Sequence, residues 1–294
     1  MMHTETVCLY PERSDITLSA LLWEESPALQ DAARPRPAIL ICPGGGYHSI
    51  AAREADPIAV RFASMGYHAF VLRYSLHQEG RCLYPQPLLD IAQAMLYIRD
   101  HAALWHLDAE RIGLCGFSAG GHNALLYAVQ WNQPVITGRF SRPAADFRPA
   151  LCIAGYAVVD YMGWPDERCP ALIARQVRDE CRRGLLGAST PEQSLLQKVD
   201  PTRYVTTAAP PMFLWATAED VKVPAENTLH MALALMRAGI PVETHIFESG
   251  EHGLALADPS SAGIRRKVEP AAAQWIQLCD TWLKKRFALQ LRDE

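Results

Sequence analysis

The stretch "RIGLCGFSAGG", Arg111 to Gly121, constrains this chain more than any other. An apolar, strand-like run leads into Gly116-Phe117-Ser118-Ala119-Gly120, which fits G-x-S-x-G, and the helix-forming stretch "AGGHNALLYAVQW" follows. A serine in so tight a strand-to-helix turn sits in strained backbone, so its neighbours two residues away must be small. Its hydroxyl then projects above the C-terminal edge of a sheet. The amide of Ala119 points into the same space, aided by the positive end of the helix. An incidental serine in a glycine-rich turn is the plain alternative. The flanking strand and helix and the position in the chain all argue against it.

Such a turn needs a parallel sheet around it, and the rest of the chain alternates accordingly. "TVCLY" and "ITLSALLW" read as two strands joined by the turn "PERSD". No helix intervenes between them, which predicts an antiparallel edge. "PAILIC" reads as a buried strand, "EADPIAVRFASMG" as a helix closed by Gly66, and "YHAFVLRY" as the next strand. Leu88, Ile91, Met95 and Ile98 recur at helical spacing. "ALCIAGYAVV", "PPMFLWAT" and "VETHIF" are further strands, "PAENTLHMALALMRAG" a further helix, and "EPAAAQWIQLCDTWLKKRF" a terminal helix. Alternation of this kind predicts an α/β fold with a mostly parallel sheet and helices on both faces. One domain over 1–294 is expected, with a small helical cap or lid at about 160–207, because a structureless loop of that length is uncommon in a compact domain. In and just before that region Tyr156, Tyr161 and Trp164 are candidates both for a sugar or acyl pocket and for core. Trp131, Trp275 and Trp282 read as core residues on helix faces.

A serine hydroxyl is a weak nucleophile until a base takes its proton. On a sheet of this kind the base and its acid follow the serine in the order acid, then His. His122 lies one turn into the serine's own helix and is expected to pack or hydrogen-bond near the site. His230 falls within a helix and His245 within a strand. His252, in the glycine-flanked loop "ESGEHGLAL" after the last strand, is the favoured base. "MFLWATAEDVKVP" places Glu219 and Asp220 at the end of the preceding strand. Asp220 is the favoured partner for the His252 ring, with Glu219 its competitor and Asp160 a second fallback. Asp258 reads as a turn or cap residue.

The glycine run in "CPGGGYHSI" has two physical readings, a phosphate cradle or a set of amides for an oxyanion. A phosphate loop would end in Lys-Ser or Lys-Thr, and "PGGGYHSIAARE" does not. A dinucleotide fingerprint would need G-x-G-x-x-G with a helix at once, which is also missing. With a serine turn two strand–helix units later, Gly44 to Gly46 read as half of an oxyanion hole. Gly45 and Gly46 are the expected donors, and Ala119 supplies the other half.

Together, "CPGGGYHSIAAREADPIAVRFASMGYHAFVLRYS", "RIGLCGFSAGGHNA", "LLGASTPEQ" and "PPMFLWATAEDVKVPAENTLHMALALMRAGIPVETHIFESGEHGLAL" resemble the α/β-hydrolase superfamily. They are most similar to its bacterial carbohydrate-esterase branch of acetyl and xylan-related esterases. The resemblance runs from about Ile16 to the C-terminal helix. It implies the α/β-hydrolase fold, Ser118 as nucleophile, Asp220 as acid, His252 as base, and neither cofactor nor metal. It also implies a small-molecule ester substrate, such as an acetylated oligosaccharide. The chain departs from the family pattern at Glu219, where an aspartate is usual, and in "RDECRRGLLG". Pro43 stands where many esterases carry His.

Competing functions remain in view. A general short-chain carboxylesterase or lactonase shares the motifs. A prolyl-oligopeptidase-like peptidase shares the order of residues but normally carries a repeat domain. A non-catalytic binding protein of this fold would normally have lost one of the three residues. A net charge of -4 points neither to nucleic acid nor to an acidic membrane surface, and no apolar run is long enough to span a bilayer. The 8 cysteines are scattered without a CxxC pair, which predicts free thiols and a cytoplasmic setting.

Overall fold

Strand β1 (Met2–Tyr10) and strand β2 (Arg13–Trp23) form the antiparallel edge pair expected at the N-terminus. Strand β2 also pairs antiparallel with β4 (His68–Arg73). From there β3 (Arg36–Cys42), β5 (Leu107–Phe117), β6 (Leu151–Gly155), β7 (Met212–Thr217) and β8 (Val242–Phe247) continue in parallel. The order across the sheet is β1-β2-β4-β3-β5-β6-β7-β8. These are the strands of a computed structural model, which describes residues 2–24, 35–162 and 171–289.

The helices are α1 (Asp56–Ser64), α2 (Gln86–Asp100), α3 (Ser118–Gln130), α4 (Pro134–Thr137) and α5 (Ala171–Leu186), followed by α6 (Gln193–Lys198), α7 (Glu226–Arg237), α8 (Pro259–Ala262) and α9 (Trp275–Lys284). The alternation of side chains along β3 divides them into two layers. Ile39 and Ile41 join a core with Ile58 and Phe62 of α1 and with Trp275 and Trp282 of α9. Ala38, Leu40 and Cys42 join the other, with Leu88, Ile91, Met95 and Ile98 of α2 and Met231 and Leu235 of α7. Strands covered on both faces read as continuous apolar runs, which is why "PAILIC" and "MFLWAT" carry no alternation. Each fully buried Leu, Ile or Met in these layers contributes about 1.5–3 kcal/mol.

Several boundaries differ from the sequence reading. Arg13 already pairs with Tyr10, so only Pro11 and Glu12 of "PERSD" make the turn. Strand β6 stops at Gly155 because Tyr156 takes φ of 38°, which no strand accommodates. The terminal helix begins only at Trp275, after a short 3₁₀ turn, Ala272–Gln274. In the region 160–207, α5 and α6 are the α-helices among the described residues. Trp164 and the "WPDERC" segment around it lie outside those residues. No helix among the described residues is long and apolar enough to cross a membrane.

Candidate active site

Parallel pairing sets Cys42 at the end of β3 beside Gly116 in β5. The glycine turn and the serine turn therefore leave the sheet side by side at its C-terminal edge. Ser118 has φ of 52°, the left-handed region that costs an ordinary side chain of the order of 1–3 kcal/mol. The motif's glycines are what permit it. A Cβ at Gly116 would collide with the carbonyl of Gly120, and a Cβ at Gly120 with the carbonyls of Cys42 and Pro43. Gly120→Ala should cost about 3 kcal/mol through this backbone clash. A thermal melt would register it as a drop of roughly 6–12 °C, and an unchanged Tm would contradict the clash.

The structure brings three of the expected side chains into one hydrogen-bonded run. Ser118 Oγ lies 2.9 Å from His252 Nε2, and His252 Nδ1 lies 2.6 Å from Asp220 Oδ2. Asp220 is buried, and its other oxygen accepts the backbone N–H groups of Lys222 and Val223, both at 2.9 Å. With the aspartate so held, the His252 proton belongs on Nδ1, leaving the Nε2 lone pair facing the serine. Ser118 keeps 8% of its surface exposed. Glu219 does not compete for the imidazole. Its carboxylate accepts the Gly250 N–H at 3.0 Å and so ties down the start of the His252 loop.

The remaining candidates fall elsewhere. His122 is buried, with Nε2 against the Val199 carbonyl at 2.7 Å and Nδ1 against the Tyr47 hydroxyl at 2.5 Å. Burial pushes its pKa down to about 4. His230 is exposed on α7, and His245 faces Glu243 on β8 at 3.1 Å. Asp160 accepts the Met162 N–H at 2.8 Å, and Asp258 caps α8 through the Ser260 N–H at 2.9 Å. Tyr156 and Tyr161 are both buried, as are Trp275 and Trp282. Trp131 is half-buried and donates its ring N–H to the Ala208 carbonyl at 3.0 Å.

Gly45 and Gly46 take φ of 132° and 62°. Their carbonyls are thereby turned aside, and the Gly45 oxygen accepts from His48 and Ser49. Neither glycine's N–H has a partner among the described residues. The Ala119 N–H lies in the first turn of α3, where the helix offers it no acceptor. Gly44 is different, because its N–H is given to Glu54 Oε2 at 2.7 Å. Helix α5 closes over the turn. His48 Nε2 bonds the Glu180 carbonyl at 3.1 Å, and a Cβ on Gly184 would lie 2.6 Å from the Gly46 oxygen.

Two participants escaped the sequence reading. Glu54 was absorbed into the helical stretch "EADPIAVRF", yet it is 2% exposed and faces the glycine turn. Lys267, beyond the last motif, bonds the His252 carbonyl and pairs with Glu251 at 2.8 Å. An acid between a glycine turn and an apolar helix is a signal that could have found Glu54. Nothing in its neighbours singles out Lys267.

An eight-stranded, mostly parallel sheet with helices on both faces, carrying a serine on the turn after β5, is an α/β-hydrolase. The chain belongs to the BD-FAE family, whose family model matches residues 28–235. It is 32% identical over 224 residues to endo-1,4-beta-xylanase B of Butyrivibrio fibrisolvens, covering 76% of this chain and 33% of that protein. It is 25% identical to the acetylxylan esterase of Xylanibacter ruminicola, covering 74% and 40%. The chain thus spans less than half the length of these curated relatives. Solved structures match it nearly end to end. The carboxylesterase Cest-2923 of Lactobacillus plantarum superposes with a TM-score of 0.80 at 29% identity, covering 100% of both chains. An acetyl ester-xyloside bifunctional hydrolase of Caldicellulosiruptor lactoaceticus gives 0.76 at 28%, covering 96% of both.

Proposed function

We propose that this protein is a serine-dependent carboxylic ester hydrolase that removes short acyl groups, acetyl above all, from carbohydrate substrates such as xylo-oligosaccharides. The observation that carries the reading is the hydrogen-bonded run from Ser118 Oγ through His252 to buried Asp220, opening beside two unpaired glycine amides. In the proposed reaction His252 Nε2 takes the hydroxyl proton as Ser118 Oγ attacks the ester carbonyl. The amides of Gly45, Gly46 and Ala119 receive the oxyanion. The imidazolium gives its proton to the departing alcohol oxygen; water, deprotonated by the same base, then attacks the acyl-enzyme, and the Ser118 Oγ–acyl bond breaks as the imidazolium returns the proton to Oγ and the acid leaves. Each oxyanion donor is worth about 3–4 kcal/mol of barrier. In the same reading the chain is one domain, and α5 belongs to a cap over the glycine turn. Among the described residues no three His, Cys, Asp or Glu side chains gather as a metal site.

The acyl and sugar parts rest on relatives whose names contain acetylxylan esterase and acetyl ester-xyloside hydrolase. A general short-chain carboxylesterase is the second reading, favoured by the end-to-end match to a carboxylesterase. A substrate panel separates them. Nitrophenyl acetate should be turned over at least tenfold faster than the butyrate, and acetylated xylo-oligosaccharides should release acetate. Preference for butyrate, with no acetate released from the sugars, would reject the carbohydrate reading. A reducing, cytoplasmic setting is part of the proposal. The seven described cysteines are free, and five of them are buried.

A further inference from the structure

The chain keeps an acid directly beneath the glycine turn. Glu54 closes a short 3₁₀ turn, Ala52–Glu54, and is 2% exposed. A buried carboxylate is costly unless its oxygens are hydrogen-bonded, and both are. Oε2 accepts the Gly44 N–H at 2.7 Å, and Oε1 accepts the Tyr156 hydroxyl at 2.9 Å. The Tyr156 oxygen in turn accepts the Ala255 N–H at 2.9 Å, and its ring stands edge-on to the His252 imidazole, 5.1 Å between centroids. Ala255 has φ of 55°, and its carbonyl receives the Trp275 ring N–H at 2.9 Å.

Glu54 also approaches the histidine loop directly. A Cβ on Gly253 would lie 3.7 Å from Glu54 Oε1, 3.5 Å from Arg53 Nη2 and 3.7 Å from Lys267 Nζ. A Cβ on Gly44 would lie 2.7 Å from Glu54 Oε2 and 2.9 Å from the Cβ of Ser118. One carboxylate therefore bonds the oxyanion turn at Gly44 and, through the Tyr156 hydroxyl and the Ala255 N–H, ties it to the loop of the base.

We propose that Glu54 is a positioning residue for the ester hydrolysis proposed above, holding the oxyanion turn and the His252 loop at a fixed separation; the inference rests on that reading of the site. The serine and the glycine donors sit on loops after different strands, β5 and β3, and the base sits after the far edge strand. Nothing in the sheet sets loop against loop to within a few tenths of an ångström. Donors act only when they lie about 2.7–3.1 Å from the developing oxyanion, and displacements near 1 Å cost about 10²-fold in rate. The two-ended grip of Glu54 supplies the missing constraint. It also explains why Gly44, the first glycine of the run, is spent on a structural bond while the next two amides stay open.

A purely structural Glu54 would lower stability and leave turnover per folded site alone, so the test measures kcat per active site. Wild type, Glu54→Ala, Glu54→Gln and Tyr156→Phe are assayed on nitrophenyl acetate, with active sites counted in a separate aliquot by fluorophosphonate labelling of Ser118 to completion. Glu54→Ala should lower kcat by about 10²-fold with KM changed less than about threefold, as expected when aligned donors are lost. Glu54→Gln should recover part of that, to within about tenfold of wild type, because its amide oxygen still accepts from Gly44, though without the charge. Tyr156→Phe should lower kcat alone but add little on top of Glu54→Ala, since both cut the same link. Wild-type kcat per titrated site in Glu54→Ala overturns the inference, whatever happens to Tm. Should that variant fail to fold, wild-type kcat in both Glu54→Gln and Tyr156→Phe overturns it equally. A wild-type protein that takes no phosphonyl label overturns the hydrolase reading itself, and this inference with it.

Discussion

Replacing Ser118 with Ala should lower kcat on nitrophenyl acetate by about 10⁴-fold or more while leaving the melting temperature within about 3 °C of wild type. The activity loss follows from the chemistry. Without Oγ there is no acyl-enzyme, and only direct attack by water remains. The oxyanion amides and the binding surface still assist that attack, so a residual rate above the uncatalysed reaction is expected. The small effect on stability follows from the surroundings. Among the described residues the hydroxyl's side-chain partner is His252 Nε2, and at 14% side-chain exposure water can reach that ring as a replacement. Alanine keeps the Cβ, so the φ of 52° costs no more than before. Kinetics, a thermal melt and mass spectrometry after fluorophosphonate treatment decide it together. A variant with a tenth of wild-type turnover, or one still labelled, would remove Ser118 from the role.

The legible parts of this chain are those where local chemistry and tertiary role coincide. Gly116 and Gly120 announce the serine turn because no Cβ fits there, a constraint set by backbone within a few residues. The inner strands β3, β6 and β7 announce themselves because both faces of the sheet are covered there and their positions are nearly all buried and apolar. His252 was readable from its place after the last strand, between Gly250 and Gly253, both at positive φ. Glu54 was not readable in this way. Its partners Gly44 and Tyr156 are 10 and 102 residues away, and a carboxylate before a helix looks like any first-turn acid. The limits of β6 were hidden for a related reason. Tyr156, Val158 and Val159 of "GYAVV" favour strand, yet the strand ends because Tyr156 turns to reach Glu54 and Ala255. Long-range polar contacts override local preference where loops from separate strands converge.

The same reasoning makes Asp220→Asn the sharper test of the acid. Asp220 Oδ1 is held by two backbone donors, Lys222 and Val223, both at 2.9 Å. An asparagine would keep its carbonyl oxygen there, since its amide group would set donor against donor. Its NH₂ must then face His252 Nδ1, which aspartate Oδ2 now meets at 2.6 Å. To accept from that NH₂ the imidazole has to move its proton to Nε2, the atom 2.9 Å from Ser118 Oγ. The base would then present a hydrogen where it needs a lone pair. The expected result is a loss of about 10⁴-fold in kcat near neutral pH with the fold intact, the size associated with a wrong histidine tautomer. Glu219→Gln is the matched control. Its target is the Gly250 N–H, which a glutamine oxygen still satisfies, so turnover should stay within about threefold. If Glu219→Gln loses the larger factor and Asp220→Asn the smaller, the two acids exchange roles. If Asp220→Asn keeps a tenth of wild-type kcat, the histidine does not depend on Asp220 for its tautomer. The geometry of the two backbone donors predicts neither outcome.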